Sequence, residues 1–263
     1  MLFRSTPIET SPGYIVISGH TIRDHHNYGL LDVTGVLTKS SNVGVTKLAL
    51  ELAPEMMWDT YTRFGFGEAT GTGFPGESAG VLRNHRRWRR LEQATISYGY
   101  GISATPLQLA QAYAAIANDG KLRQPAFILG ASSPPISAID PRIANTVARM
   151  LETVPTTTGT GAKARVANYR VAGKTGTSRK ASASGYAAAR YVSSFAGFGP
   201  ASNPKLVCVV VINDPTGDEY YGGLVAAPLF SDVMTGAMRI LNIPPDDYPT
   251  TLAQAGESAG GQP

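Results

Sequence analysis

The spacing of apolar residues changes from helical to strand-like once in the body of the chain, and that switch restricts what it can fold into. Before residue 155 the apolar positions recur at helical intervals. Val45, Leu48, Ala49 and Leu52 stand at i, i+3, i+4 and i+7, and Ile143, Val147, Met150, Leu151 and Val154 repeat the stripe. Between 171 and 212 the spacing is that of strands over 171–177, 194–198 and the continuously apolar, buried 206–212. Residues 228–241 return to a helix, with Leu229, Val233, Met234, Ala237, Ile240 and Leu241 facing inward. A helical half, a three-strand meander and a closing helix describe an α/β chain of the α+β type, an antiparallel sheet packed with helices. With 263 residues, 43% of them hydrophobic, the chain can bury one large core. Residues 1–243 form that domain, and the Pro-, Asp- and Gly-rich 244–263 reads as a disordered tail.

Local chemistry marks the element ends. Asp32 caps a helix over 33–39, and Ser40-Ser41-Asn42 interrupts it because these side chains compete for backbone hydrogen bonds. A second helix covers 45–52, and Pro54 starts a third that runs to 64. Ser40 and Asn42 therefore sit at a tight junction between packed helices, a rigid place to present polar groups to a cleft. Thr105-Pro106 and Asp140-Pro141 open two further helices, the first with Leu109, Ala112, Tyr113 and Ile116 on one face. Residues 1–31 read as loops and hairpins, 156–161 as a polar link and 178–191 as a polar loop.

Several function classes drop out. The net charge of +4 depends on one run, Arg83, Arg86, Arg87, Arg89 and Arg90, in a chain otherwise near neutral. That pattern is a solvated face, and nucleic acid is set aside. His20, His25 and His26 have no Cys or Glu at ligand spacing, so no metal is expected and they read as surface residues. The single Cys208 leaves the redox compartment open. No apolar run is long enough to span a membrane, and Met1-Leu2-Phe3-Arg4 looks like mid-protein sequence given a start residue.

The chemistry concentrates in Lys174-Thr175-Gly176-Thr177. Strand alternation sends Lys174 and Gly176 to one face and Thr175 and Thr177 to the other. A cation, two hydroxyls and a glycine at a strand end can hold a carboxylate while the main chain pairs with an extended peptide. A phosphate-binding loop would need a glycine where Asn168 stands, and the segment before Gly173 is strand-like. Taken alone, Lys-Thr-Gly is also what a strand entering a polar turn looks like.

Ser40-x-Asn42 followed far downstream by Lys174-Thr175-Gly176 matches two of the three motifs of penicillin-binding proteins and serine β-lactamases. With Thr72-Gly73-Phe74-Pro75-Gly76-Glu77, Ser97-Tyr98-Gly99-Tyr100-Gly101 and Tyr220-Tyr221-Gly222-Gly223, the chain resembles the transpeptidase domain of class B penicillin-binding proteins, nearest the division-specific penicillin-binding protein 3. The resemblance implies a β-lactamase/transpeptidase-like fold and a D,D-transpeptidase that works without a cofactor. Such an enzyme cross-links peptidoglycan stem peptides ending in D-Ala-D-Ala through a serine acyl-enzyme, and β-lactams acylate the same serine. It implies that Ser40 relays protons, that Asn42 binds the substrate amide, and that Lys174 supplies positive potential. It further implies carboxylate binding by Thr175 and Thr177 beside Gly176, an oxyanion donor from the Thr177 main chain, and a contribution from Arg179. Tyr191, Tyr220 and Tyr221 would form an aromatic wall. The parent would sit in the inner membrane with this domain in the periplasm, among cell-division proteins.

One motif is absent. Ser-x-x-Lys sets the nucleophile and its base one helical turn apart, and only Ser202-Asn203-Pro204-Lys205 fits that spacing. Pro204 in an Asn-Pro turn forbids the helix, so no nucleophile lies in this chain. The expectation is a fragment beginning downstream of it, with three of the family's five strands, carrying Lys174, Phe195 and Val209. Alone it is expected neither to form an acyl-enzyme nor to unfold cooperatively. The alternative is a non-catalytic module binding peptidoglycan or division partners through the same groove. A carboxypeptidase using water stays open. A β-lactamase would need a water-activating carboxylate, for which Glu77 is an unplaced candidate.

Overall fold

The computed structural model describes residues 4–131, 133–182 and 185–247. The first segment pairs in short hairpins. β1 (Ile8–Glu9) meets β4 (Leu30–Leu31), and β2 (Tyr14–Ile17) pairs with β3 (His20–Arg23), burying Ile17 and Ile22 beside Ala94. α1 (Val33–Lys39) begins where Asp32 accepts the Gly35 N–H at 2.6 Å. α2 (Asn42–Leu50) starts three residues before the apolar stripe because Ser41 caps it, accepting from Gly44 N at 2.8 Å. Gly44 also lets the two helices touch, since a Cβ there would meet Val36 Cγ2 at 2.5 Å. α3 (Pro54–Arg63) follows as its proline dictates.

β5 (Val81–Leu82) and β6 (Ile102–Ser103) pair around α4 (Arg90–Ile96). All five clustered arginines are exposed, and Arg83 pairs with Glu92 at 2.7 Å, as a solvated face requires. In α5 (Pro106–Ala117) the fully buried Gln108 donates to the carbonyls of Glu68 at 2.8 Å and Ala79 at 3.0 Å, tying loop to helix. β7 (Lys121–Leu122) and β8 (Ile136–Ser137) form a small hairpin before α6 (Pro141–Leu151).

The main sheet contains β9 (Ala172–Ser182), β10 (Gly185–Gly199) and β11 (Leu206–Asn213) in the antiparallel order β11-β10-β9. These strands carry Lys174, Phe195 and Val209, the three expected. On one face Ala172 and Phe198 pack under α5 and α6 with Tyr113, Ile116 and Val147. On the other, Phe195 meets Phe230 of α8 (Ala227–Ile240) at 4.7 Å between ring centres, with α7 (Gly222–Val225) alongside.

Three expectations are corrected. The stretch 178–191 is not a loop, because β9 runs to Ser182 and β10 starts at Gly185, with a register shift between Tyr186 and Tyr191. Ladder hydrogen bonds are made by the main chain, so a polar composition does not forbid them. β11 is only partly buried, with Val211 39% exposed, because it pairs on one side alone among the described residues. α8 is rotated from its assigned face. Met234 is buried as assigned but packs inward with Phe230 and Met238, whereas Leu229, Val233, Ile240 and Leu241 are exposed. Ile143 on α6 is likewise exposed. Of the tail, Asp246 accepts from Arg170 N at 2.7 Å and the Asp247 N–H donates to Asn168 O at 3.1 Å; residues 248–263 lie outside the described residues.

Candidate active site

The junction between α1 and α2 is built by Ser40 entering the left-handed region, at φ 56° and ψ 46°, which ends α1. That conformation costs a residue with a Cβ about 1–2 kcal/mol, so the surroundings must hold it. Asp24, just after β3, supplies the hold. Its carboxylate accepts from Ser41 Oγ at 2.5 Å and from Val43 N at 2.9 Å. The Asn42 amide donates to Arg23 O at 3.0 Å, so the end of the β2–β3 hairpin holds Ser41 and Asn42.

Lys174 reaches this junction from β9. Its ammonium donates to Ser40 Oγ at 2.8 Å and to Thr175 O and Oγ1, each at 3.2 Å. No carboxylate pairs with it among the described residues. Desolvation therefore acts without compensation and pushes its pKa down to about 8. A partly dehydrated, uncompensated ammonium is a strong attractor for an incoming anion.

The link after α6 joins this cluster. Thr160 Oγ1 lies 2.9 Å from Thr175 Oγ1, and its N–H donates to Thr38 O at 3.3 Å. Lys39 donates to Thr158 O at 2.7 Å. Thr160 was missed by sequence reasoning. Its only local signal is a threonine between Gly159 and Gly161, with no apolar anchor nearby.

β9 is an edge strand of this sheet among the described residues. In an antiparallel ladder, alternate residues turn both their N–H and C=O toward the partner strand. Arg179 N donates outward, to Tyr100 Oη at 3.1 Å, and Thr175 O receives Lys174 from outside. The same parity turns the Thr177 N–H and C=O outward. The Thr177 hydroxyl accepts from Gly222 N at 2.9 Å, which docks the Tyr220-Tyr221-Gly222-Gly223 segment onto the strand. Ser193 Oγ donates to Tyr220 O and strengthens that docking. Gly222 has to be glycine, because a Cβ would collide with backbone atoms of Gly176 and Ser194.

Tyr191, Tyr220 and Tyr221 come together in the structure. Tyr191 stacks on Tyr220 with ring centres 3.9 Å apart, and Tyr220 lies 4.4 Å from Tyr221. The Tyr220 hydroxyl donates to Tyr221 Oη at 3.0 Å, the main reason its pKa is raised. His25 packs edge-on against Tyr221 at 5.1 Å, so one histidine read as a surface residue abuts the wall. Arg179 is exposed beside it, and its charge favours the Tyr220 phenolate. Tyr100 and His25 join the residues for which spacing gave no role.

The remaining candidates are engaged elsewhere. Glu77 accepts from Thr70 Oγ1 and Gly71 N, each at 2.9 Å, and from the Thr72 hydroxyl, which hold it ionised with a pKa of about 2. Asp214 is clamped by Arg190 and Lys180 and is also lowered to about 2. Neither carboxylate has the raised pKa of a general base. Ser202 lies in the turn between β10 and β11, where its hydroxyl donates to Asp246 at 2.6 Å.

A helix-junction Ser-x-Asn facing a Lys-Thr-Gly-Thr strand at the edge of an antiparallel sheet defines the penicillin-recognising class of serine acyl-transferase folds. The profile described as penicillin binding protein transpeptidase domain matches residues 2–235, and the chain belongs to that family. It is 43% identical over 252 residues to the probable peptidoglycan D,D-transpeptidase PbpC of Pseudomonas aeruginosa, covering 95% of this chain and 45% of that protein. With the peptidoglycan D,D-transpeptidase FtsI of Escherichia coli K12 the identity is 45% over 253 residues, covering 94% and 43%. The chain thus spans less than half the length of these relatives. The apo transpeptidase domain of Burkholderia pseudomallei penicillin-binding protein 3 superposes with a TM-score of 0.89 at 43% identity, covering 94% of this chain and 76% of that domain.

Proposed function

We propose that this chain forms the substrate cradle of a peptidoglycan D,D-transpeptidase. The observation carrying the reading is the 2.8 Å bond from Lys174 to Ser40 across 134 positions, beside an outward-facing Thr177 N–H. A stem peptide ending in D-Ala-D-Ala would lie along β9 as an added strand, its terminal carboxylate held by Lys174, Thr175 and Thr177 with Arg179 nearby. Asn42 would bind the substrate amide. The Thr177 N–H would point at the carbonyl under attack, a donor worth roughly 3 kcal/mol in the transition state. The tyrosine wall would flank the side chains before that carbonyl. Ser40, bonded to the ammonium, would relay a proton toward the departing D-Ala nitrogen.

Residues 1–263 hold no helical Ser-x-x-Lys, so this chain binds but does not itself acylate. Among the described residues no helix is long and apolar enough to cross a membrane. The protein would sit at the inner membrane with this domain in the periplasm, alongside division proteins, a reading supported by its likeness to peptidoglycan D,D-transpeptidases. The test is titration of N-acyl-D-Ala-D-Ala into the labelled protein, followed by amide NMR. Shifts at Thr175 to Arg179, absent with the L-Ala-L-Ala isomer, are expected. Intact mass after incubation with penicillin should show no adduct. Equal response to both isomers, or a covalent adduct, would refute the reading.

A further inference from the structure

The link between α6 and the main sheet brings a second hydroxyl to Thr175. Thr160 stands where several elements meet. Its N–H donates to Thr38 O of α1, two residues before Ser40, and a Cβ on Gly223 would collide with its carbonyl. Its neighbour Gly161 donates to Val154 O at 3.0 Å and lies so close to the sheet that a Cβ would meet the Phe195 ring at 2.8 Å. The backbone at Thr160 is therefore set by α1, the turn after α6, the sheet and the 220–223 segment together. From this fixed place its Oγ1 lies 2.9 Å from Thr175 Oγ1.

The donors and acceptors around Thr175 give that contact a direction. An ammonium has three donors and accepts nothing, and those of Lys174 go to Ser40 Oγ, Thr175 O and Thr175 Oγ1. One lone pair of Thr175 Oγ1 is thus taken by Lys174, and the other is open to Thr160. A carboxylate carries no hydrogen and can only accept. With both lone pairs of Thr175 Oγ1 filled from the protein side, its own hydrogen is left for the ligand, and donation into the oxygen polarises that O–H further. Thr177 is set in the same way by a different donor, since its hydroxyl accepts from Gly222 N at 2.9 Å. Resting on the transpeptidase reading, we infer that Thr160 is a positioning residue. By donating its hydroxyl hydrogen to Thr175 Oγ1, it turns the Thr175 hydroxyl toward the terminal carboxylate of the peptide.

Calorimetric titration of N-acyl-D-Ala-D-Ala into the full 263-residue chain tests this with Thr160→Val and Thr160→Ser. Valine keeps the branched shape and removes the hydroxyl, and the loss of one orienting hydrogen bond should weaken binding about three- to tenfold. Serine keeps the O–H and should stay within about twofold of wild type. Lys174 retains its three acceptors in the valine variant, so the pH at which affinity falls, near its pKa of about 8, should not move. Equal or tighter binding by Thr160→Val would overturn the inference, because Thr160 would then be a bystander or an acceptor competing with the ligand. A serine variant as weak as the valine one, or a displaced pH midpoint, would overturn it too, since either marks a joint that matters only for packing. A wild-type chain that does not bind the D,D-peptide refutes the transpeptidase reading itself, and the inference falls with it.

Discussion

Raising the pH from 7 to 9 should strip the positive charge from Lys174 while the cradle stays folded around it. Desolvation sets its pKa at about 8, so the amine is about 90% protonated at pH 7 and about 10% at pH 9. A carboxylate ligand favours the charged form, and binding therefore takes up a proton. Affinity for N-acyl-D-Ala-D-Ala should fall about tenfold across those two units. Stability should move the opposite way. The folded pKa lies below the ordinary value of 10.5, so the unfolded chain holds more protons between pH 8 and 10.5, and stability rises with pH through that window. Lys174→Met keeps most of the stem and removes the charge. Losing a charged hydrogen bond of about 1.5–3 kcal/mol should weaken binding roughly 10- to 150-fold at pH 7 and flatten the profile. Calorimetric titration at pH 7, 8 and 9 on both proteins decides the matter. A flat wild-type profile, or an equal slope in the methionine variant, would refute the role of the ammonium.

Three further outcomes follow from the geometry. Asp24→Ala leaves the Ser41 hydroxyl and Val43 N–H without their acceptor, at about 1–3 kcal/mol, so amide exchange at Val43 and Gly44 should accelerate about 10- to 100-fold; unchanged protection would contradict the anchoring role. Ser40→Gly relieves the left-handed strain and should slow local opening at the end of α1, while ligand affinity drops because Lys174 loses its hydroxyl partner. Gly222→Ala drives a Cβ into the β9 and β10 backbone, so Thr177 should lose its partner and the tyrosines their stacking, at about 1–3 kcal/mol. Near-ultraviolet circular dichroism identical to wild type would count against that contact.

What could be read from the sequence was mostly local. Asp32, Pro54, Thr105-Pro106 and Asp140-Pro141 each announce a helix start through bonds spanning a few residues, and each helix begins there. The face of α8 could not be read this way, since Leu229-Val233-Ile240 and Phe230-Met234-Met238 both satisfy a helical period. Contact with Phe195 selects the second stripe, and Phe195 is remote in the chain. The same limit applies at the site. Ser40 and Lys174 were legible as paired motifs, whereas Thr160, Tyr100 and His25 acquire partners only when α6, β9 and the Tyr220 segment converge.

The Tyr100 hydroxyl on Arg179 N also closes one end of the β9 edge. Strand residues advance about 3.3 Å each, so from Lys174 to this stopper the edge offers about 17 Å of rail. A guest strand can travel that far and then meets a phenol already occupying the next rung. If a stem docks along β9 as proposed, the tyrosine would work as an end stop, setting how many of its residues can dock in line before the chain must turn away.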